Sequence, residues 1–154
     1  MKVKGILKSK GSKVVTVRPD ARISTLVQLL HLERIGSAVV SEDGASILGI
    51  VTERDIVIGL AKHGREFLEM KVGDVMTREV LTCQPTESIR ELMEKMSHRR
   101  LRHVPVVEQG RLCGIVSIGD VVKNRLEEMD LESKVLRDYL VTRSAGIARS
   151  LSGP

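Results

Sequence analysis

A hydroxyl residue followed three positions later by an aspartate closes two similar octapeptides, Gly49-Ile50-Val51-Thr52-Glu53-Arg54-Asp55-Ile56 and Gly114-Ile115-Val116-Ser117-Ile118-Gly119-Asp120-Val121. Two kinds of chemistry fit this spacing. One is local: Thr52 or Ser117 caps a helix, and the acid sits in its first turn against the positive helix end. The other is recognition. A carboxylate at a helix start, with oxygens facing outward, accepts hydrogen bonds from the vicinal hydroxyls of a ribose. The adjacent hydroxyl and helix N–H groups then favour a phosphate. Capping alone does not explain why both copies also keep a Gly-aliphatic-Val lead-in, where the missing side chain admits a close neighbour.

The elements that position these residues are themselves duplicated. Shifted by 66 positions, Val14-Val15-Thr16-Val17-Arg18-Pro19 meets Val80-Leu81-Thr82-Cys83-Gln84-Pro85, Ile23 meets Ile89, and Gly44 meets Gly110. After one extra residue near Ala45 the shift becomes 65, and Thr52 and Asp55 meet Ser117 and Asp120. Such extended self-similarity marks an internal repeat. Each copy reads as a β-branched strand ending at Pro, with Asp20 or Thr86 placed to cap the helix that follows. Ile23, Leu26, Val27 and Leu30, or Ile89, Leu92, Met93 and Met96, recur at helical spacing. A second strand, a turn at Asp43-Gly44 or Gln109-Gly110, a third strand and a second helix complete the unit.

A strand-helix-strand-strand-helix unit is too small to bury its own sheet, so the fold class expected is α/β (α+β), with two β-α-β-β-α repeats packed sheet to sheet. The repeats are expected at 1–66 and 67–128, with residues 63–76 as connector, a helical extension over 129–143 and a disordered tail over 144–154. Val122, Leu126 and Met129 continue the apolar stripe of the second copy's second helix, and Val135, Leu136 and Leu140 follow at helical spacing. The extension is a candidate contact with a partner chain.

Composition narrows the function classes. The apolar share of 42% and charged share of 29% are those of a soluble globular protein. No apolar run is long enough to span a bilayer, and the first residues lack a secretory signal, so a cytoplasmic location is expected. Cys83 and Cys113 read as reduced core thiols. The net charge of +5 favours an anionic partner, with Arg99-Arg100-Leu101-Arg102-His103 as the one dense basic cluster. Arg99 and Arg100 could equally be the solvated end of a helix, where cations suit the dipole. His31, His63 and His98 have no partner at ligand spacing, so no metal site is expected. No phosphate-binding glycine loop or nucleophile elbow occurs, and nothing assembles an acid, base and nucleophile; no enzymatic activity and no catalytic cofactor are expected.

The doubled Gly-Ile-Val-Thr/Ser-x-x-Asp, with Arg102-His103-Val104-Pro105-Val106 upstream, resembles the cystathionine-beta-synthase (CBS) domain. Two in tandem look like a Bateman module, and the layout is similar to small stand-alone bacterial CBS-pair proteins. The resemblance implies pseudo-two-fold symmetry and adenosine-nucleotide binding in clefts between the copies. Carried over by position, a first cleft uses Thr52, Arg54 and Asp55 with Leu81, Thr82, Arg102 and His103 opposite. A second uses Ser117 and Asp120 with Thr16, Arg18, Gly36 and Ser37 opposite. The first is favoured, because Ile118 and Gly119 replace Glu53 and Arg54 in the second copy, and Gly36 and Ser37 stand where the first cleft has Arg102 and His103. The ligands implied are AMP, ADP or ATP, with NAD(H) or S-adenosylmethionine also compatible. A homodimer and a regulated partner protein are implied as well. Two alternatives come from other classes: a nucleic-acid-binding protein using the basic surface, and a ligand-free dimeric scaffold. Scarce aromatics (only Phe67 and Tyr139) and interleaved acids count against nucleic acid.

Overall fold

The computed structural model describes residues 1–151, with side chains through 146. It divides into two compact units, Met1–Ile118 and Gly119 onward. The first unit holds both repeated sheets. In chain order its elements are α1 (Val3–Lys10), β1 (Thr16–Val17), α2 (Ile23–Glu33), β2 (Ser37–Val40), β3 (Gly49–Thr52) and α3 (Glu53–His63). A 3-10 turn (Gly64–Glu69), α4 (Val72–Val75), α5 (Ile89–Arg99), β4 (His103–Glu108) and β5 (Arg111–Ser117) follow. The second unit is the body of α6 (Ile118–Leu151).

Alternation and period explain the elements. Ile23, Leu26 and Leu30 bury one face of α2, as Ile89, Leu92 and Met96 do for α5. Val27 lies at the exposed edge of that stripe. In the first sheet β1 runs parallel to β2, and β2 pairs antiparallel with β3, placing Ser37 opposite Thr52. In the second, β4 and β5 form a hairpin whose Gln109-Gly110 turn has φ of 52° and 75°. Positive φ at both central residues is what a two-residue turn needs to match strand twist. The first copy uses a wider loop, held by Asp43. Its carboxylate accepts from the Ala45 and Ser46 N–H groups and from the Ser41 and Ser46 hydroxyls, which hold its pKa far below the usual carboxylate range.

Three expectations need correction. The strand over Val80 to Cys83 shrinks to one parallel bridge, where Cys83 N–H donates to Pro105 C=O and Cys83 C=O accepts from Val107 N–H. The two helices start later than Asp20 and Thr86: the N-cap positions are Arg22 and Ser88, and only Ser88 caps with its side chain, to Glu91 N–H at 3.1 Å. Finally, α6 runs without a break through 129–143 and on to Leu151, across most of the stretch expected to be disordered. Residues 152–154 lie outside the described residues.

The segment expected to be a connector is built into the first copy. Ile23 N–H donates to Met70 C=O, Val72 N–H to Ala21 C=O, and Gly73 N–H to Pro19 C=O. The chain start repeats this pattern on the second copy. Ile89 N–H donates to Met1 C=O, Val3 N–H to Glu87 C=O, and Lys4 N–H to Pro85 C=O. Val3 and Val72 are both fully buried. Each copy therefore receives its covering segment from the stretch of chain that precedes the other copy. This exchange also explains the glycine of the repeated motif. A Cβ on Gly49 would lie 2.8 Å from Thr77 C=O, and one on Gly114 would lie 2.5 Å from Leu7 Cδ2. The neighbour these glycines admit is protein.

Both α2 and α5 end on an arginine in the left-handed region, Arg34 at φ 55° and Arg100 at φ 54°. A side chain strains this conformation, and glycine does not. Arg34→Gly should raise stability by about 1 kcal/mol, seen as a melting temperature some 3 °C higher.

Cys83 is buried, and burial together with the nearby Glu87 charge pushes its thiol up to about 12. The folded-state pKa exceeds the unfolded value of about 8.5, so the neutral thiol contributes fully below that pH and loses its contribution as pH rises toward 12. Cys113 is shifted the same way by desolvation, and its Sγ contacts Val106 C=O at 3.4 Å. A thiol-reactive disulfide reagent near neutral pH should find Cys83 unreactive in the native chain and both thiols reactive in guanidinium.

Candidate functional site

Asp55 is held by the helix it begins. Its Oδ2 accepts from Thr52 N–H at 2.9 Å and from the Thr52 hydroxyl at 3.1 Å, while its own N–H donates to Thr52 Oγ1 at 3.3 Å. This is a complete capping box on α3. The local reading of the motif is therefore realised, yet it occupies only one carboxylate oxygen. Oδ1 has no hydrogen-bond partner among the described residues, and Asp55 is half-buried. One rigidly oriented oxygen remains available to accept. The Glu53 N–H donates to Gly36 C=O at 2.9 Å, tying the start of α3 to the start of β2.

In front of this helix start lies a cleft of about 900 Å³, within the range of small-molecule sites. The first copy contributes Thr52, Arg54 and Asp55 to it, and the second contributes Leu81, Arg102 and His103. Six of the seven residues expected for the first cleft thus meet in one place. Thr82 is half-buried beside it and does not line it. Gly36, expected opposite Asp120, lines this first cleft instead, where a Cβ would come within 3.4 Å of His103 Cε1 and the Glu53 carboxylate.

The turn after α5 supplies residues that the motif did not single out. Because Arg100 takes a left-handed backbone, with Leu101 N–H returning to Met96 C=O, Arg99, Arg100, Leu101 and Arg102 all reach the cleft wall. Arg99 closes the last turn of α5 and Arg100 is its C-cap, both exposed, as the solvated-helix-end reading expects, and both also line the cleft. Glu53 and Glu79 also line the cleft, so four guanidinium groups face three carboxylates, counting Asp55. None of the four arginines forms an ion pair among the described residues. Ile50, Val80, Leu81 and Leu101 make the rest of the wall aliphatic. A planar, uncharged ring suits that surface, and an anion suits the guanidinium forks.

The residues expected in the second cleft are distributed over both units. Thr16 is half-buried in β1, Ser37 is buried in β2, and Arg18 is exposed with its Nε 3.2 Å from Asp20. Ser117 ends β5 within the first unit, and Asp120 falls in the second. Among the described residues no cluster of His, Cys, Asp and Glu could hold a metal ion, and no helix is long and apolar enough to cross a membrane.

Taken together, two interlocked repeats and a cleft walled by one copy's helix start and the other's strand define a duplicated α/β module with a small-molecule-sized site. The chain belongs to the CBS-domain family: the family model for the CBS domain matches residues 3–62 and 72–127. It is 32% identical over 146 residues to the mitochondrial CBS domain-containing protein CBSX3 of Arabidopsis thaliana, covering 90% of this chain and 71% of that protein. Among solved structures it is similar to the CBS-domain containing protein ATU1752 from Agrobacterium tumefaciens. That match has 48% identity and a TM-score of 0.78, and covers 80% of this chain and 92% of the other. A further match is the CBS domain pair of protein MJ0100 in complex with 5-methylthioadenosine and S-adenosyl-L-methionine. It has 26% identity and a TM-score of 0.74, covering 83% of this chain and 98% of that one.

Proposed function

We propose that this chain is a regulatory module, without enzymatic activity, that binds an adenosine nucleotide of the AMP, ADP or ATP type in the first cleft. The observation that carries the reading is that Asp55, whose Oδ1 has no hydrogen-bond partner among the described residues, lines a cleft together with four arginines that form no ion pair among those residues. In this reading Asp55 Oδ1 accepts from the ribose hydroxyls, which donate. Arg54 and Arg102, with Arg99 and Arg100, grip the phosphate, and His103 and Thr52 lie beside it. Ile50, Val80 and Leu81 pack the base. The adenosyl ligands of the MJ0100 pair support the ligand class. The phosphate is argued from this chain's own arginines.

A ligand gripped by both copies couples their packing to its concentration, and its differential affinity for two arrangements sets the size of any signal. The listener is a partner protein, and the module acts as a homodimer. A thermal-shift panel of AMP, ADP, ATP, NAD(H), S-adenosylmethionine and 5-methylthioadenosine tests the reading. At a hundred times Kd a ligand adds about 2.7 kcal/mol, so a phosphate-bearing adenosine should raise the melting temperature by about 5–10 °C. No shift with any of them would overturn it. Equal shifts with 5-methylthioadenosine and AMP would remove the phosphate from the account.

A further inference from the structure

The second unit carries an apolar seam that the nucleotide reading does not use. At 100° per residue, Val122, Leu126, Met129, Ser133, Leu136 and Leu140 fall within about 80° of the α6 circumference. Their spacing alternates between four and three residues, which is the heptad rhythm of a two-stranded seam. Leu126, Met129, Leu136 and Leu140 are 56%, 51%, 59% and 54% exposed. A row of half-exposed large side chains along one helix face calls for a partner.

The flanking charges identify the partner. With Leu126, Ser133 and Leu140 at a, and Val122, Met129 and Leu136 at d, Arg125 and Glu132 occupy g positions, and Asp130 and Arg137 occupy e positions. In a parallel pair each g residue faces the e residue five positions on in the other strand. That sets Arg125 against the partner's Asp130, and Glu132 against the partner's Arg137. Both pairs are opposite in sign and occur twice by symmetry. An antiparallel pairing centred on the same seam would set Glu132 against the partner's Glu132. Arg125 also lies 3.3 Å from Glu128 of its own helix, an exposed contact it would share. Ser133, the one polar residue in the seam, fixes the register as a polar a position does.

We infer that α6 pairs with α6 of a second copy of this chain as a parallel two-stranded coiled coil. The inference deepens the homodimer proposed above and is independent of the nucleotide, so it is tested without one. Because CBS modules could also associate through their own surfaces, orientation rather than mass is the informative readout. Leu126→Cys and Leu140→Cys each place like residues face to face across a parallel seam. Val135→Cys lies on the opposite face.

Under mild oxidation, monitored by non-reducing electrophoresis against the unmodified full-length chain, the two seam variants should run mainly as disulfide dimers. The Val135→Cys variant should stay at background. Adding Glu132→Arg to Leu126→Cys should cut the dimer band, and Arg137→Glu on top should restore it. Absence of the crosslink at either seam position, crosslinking of Val135→Cys as strong as theirs, or a charge exchange without effect would overturn the inference.

Discussion

Arg102→Ala should weaken AMP binding by roughly 10- to 100-fold while leaving the melting temperature of the ligand-free chain unchanged. Arg102 lines the cleft from the second copy, is exposed, and makes no ion pair among the described residues. Its removal therefore costs the fold little, about 0.5 kcal/mol or less. A charge-assisted contact to phosphate is worth about 1.5–3 kcal/mol, which is the stated range of affinity. The two readouts must separate, with calorimetry moving and thermal unfolding not. Arg100→Gly offers an internal check. It relieves the left-handed strain at φ 54° and removes a guanidinium from the cleft. That variant should melt higher and bind AMP more weakly.

Deleting residues 1–10 should collapse the second copy rather than trim an end. Val3 and Ile6 are buried, at about 1.5–3 kcal/mol each, and three backbone hydrogen bonds to residues 85–89 add about 1 kcal/mol apiece. The sum is comparable with the whole stability of a domain, about 5–15 kcal/mol. A drop of more than about 10 °C in melting temperature, with loss of sheet signal in circular dichroism, is the expected result. An unchanged melt would show the segment to be dispensable. Cutting the chain between the copies at residue 66 should fail for the same reason, because Val72 and the Met70 carbonyl belong to the first copy's core and helix start.

How much of this was legible beforehand follows from the period of each signal. The repeat, the two buried helices and the hairpin at Gln109-Gly110 carry strong local patterns, and the sequence spacing located them. The exchange of covering segments does not. Met1-Lys2-Val3 and Met70-Lys71-Val72 do share a triplet, but its offset of 69 falls outside the 66- and 65-position register of the repeat, and which copy each segment covers rests on backbone hydrogen bonds. The strand at Val80 to Cys83 failed for a related reason. Its β-branched residues had the right propensity, but only Cys83 finds a partner strand. Asp20 and Thr86 were plausible caps overruled by the covering segments, which bond to Ile23 and Ile89 and fix where each helix begins.

At the site, the repeated motif pointed to Thr52 and Asp55, and the resemblance to the CBS domain pointed to Arg102 and His103. Arg99, Arg100 and Glu79 were missed because their place on the wall depends on a left-handed turn and a linker path, both tertiary in origin. The glycines of the motif turned out to accommodate Met76, Thr77 and Leu7. One oxygen of the aspartate closes the cap, and the other has no hydrogen-bond partner among the described residues.

That free oxygen is the most direct point of test. Asp55→Asn keeps an oxygen for the cap but halves what the residue can accept and removes its charge. Isothermal titration of ligand-free chain with AMP, ADP and ATP should give saturable binding near one nucleotide per chain, lost or weakened at least about tenfold in Asp55→Asn with folding retained. Absence of binding by the native chain, or equal affinity in the variant, would contradict a nucleotide site built on Asp55.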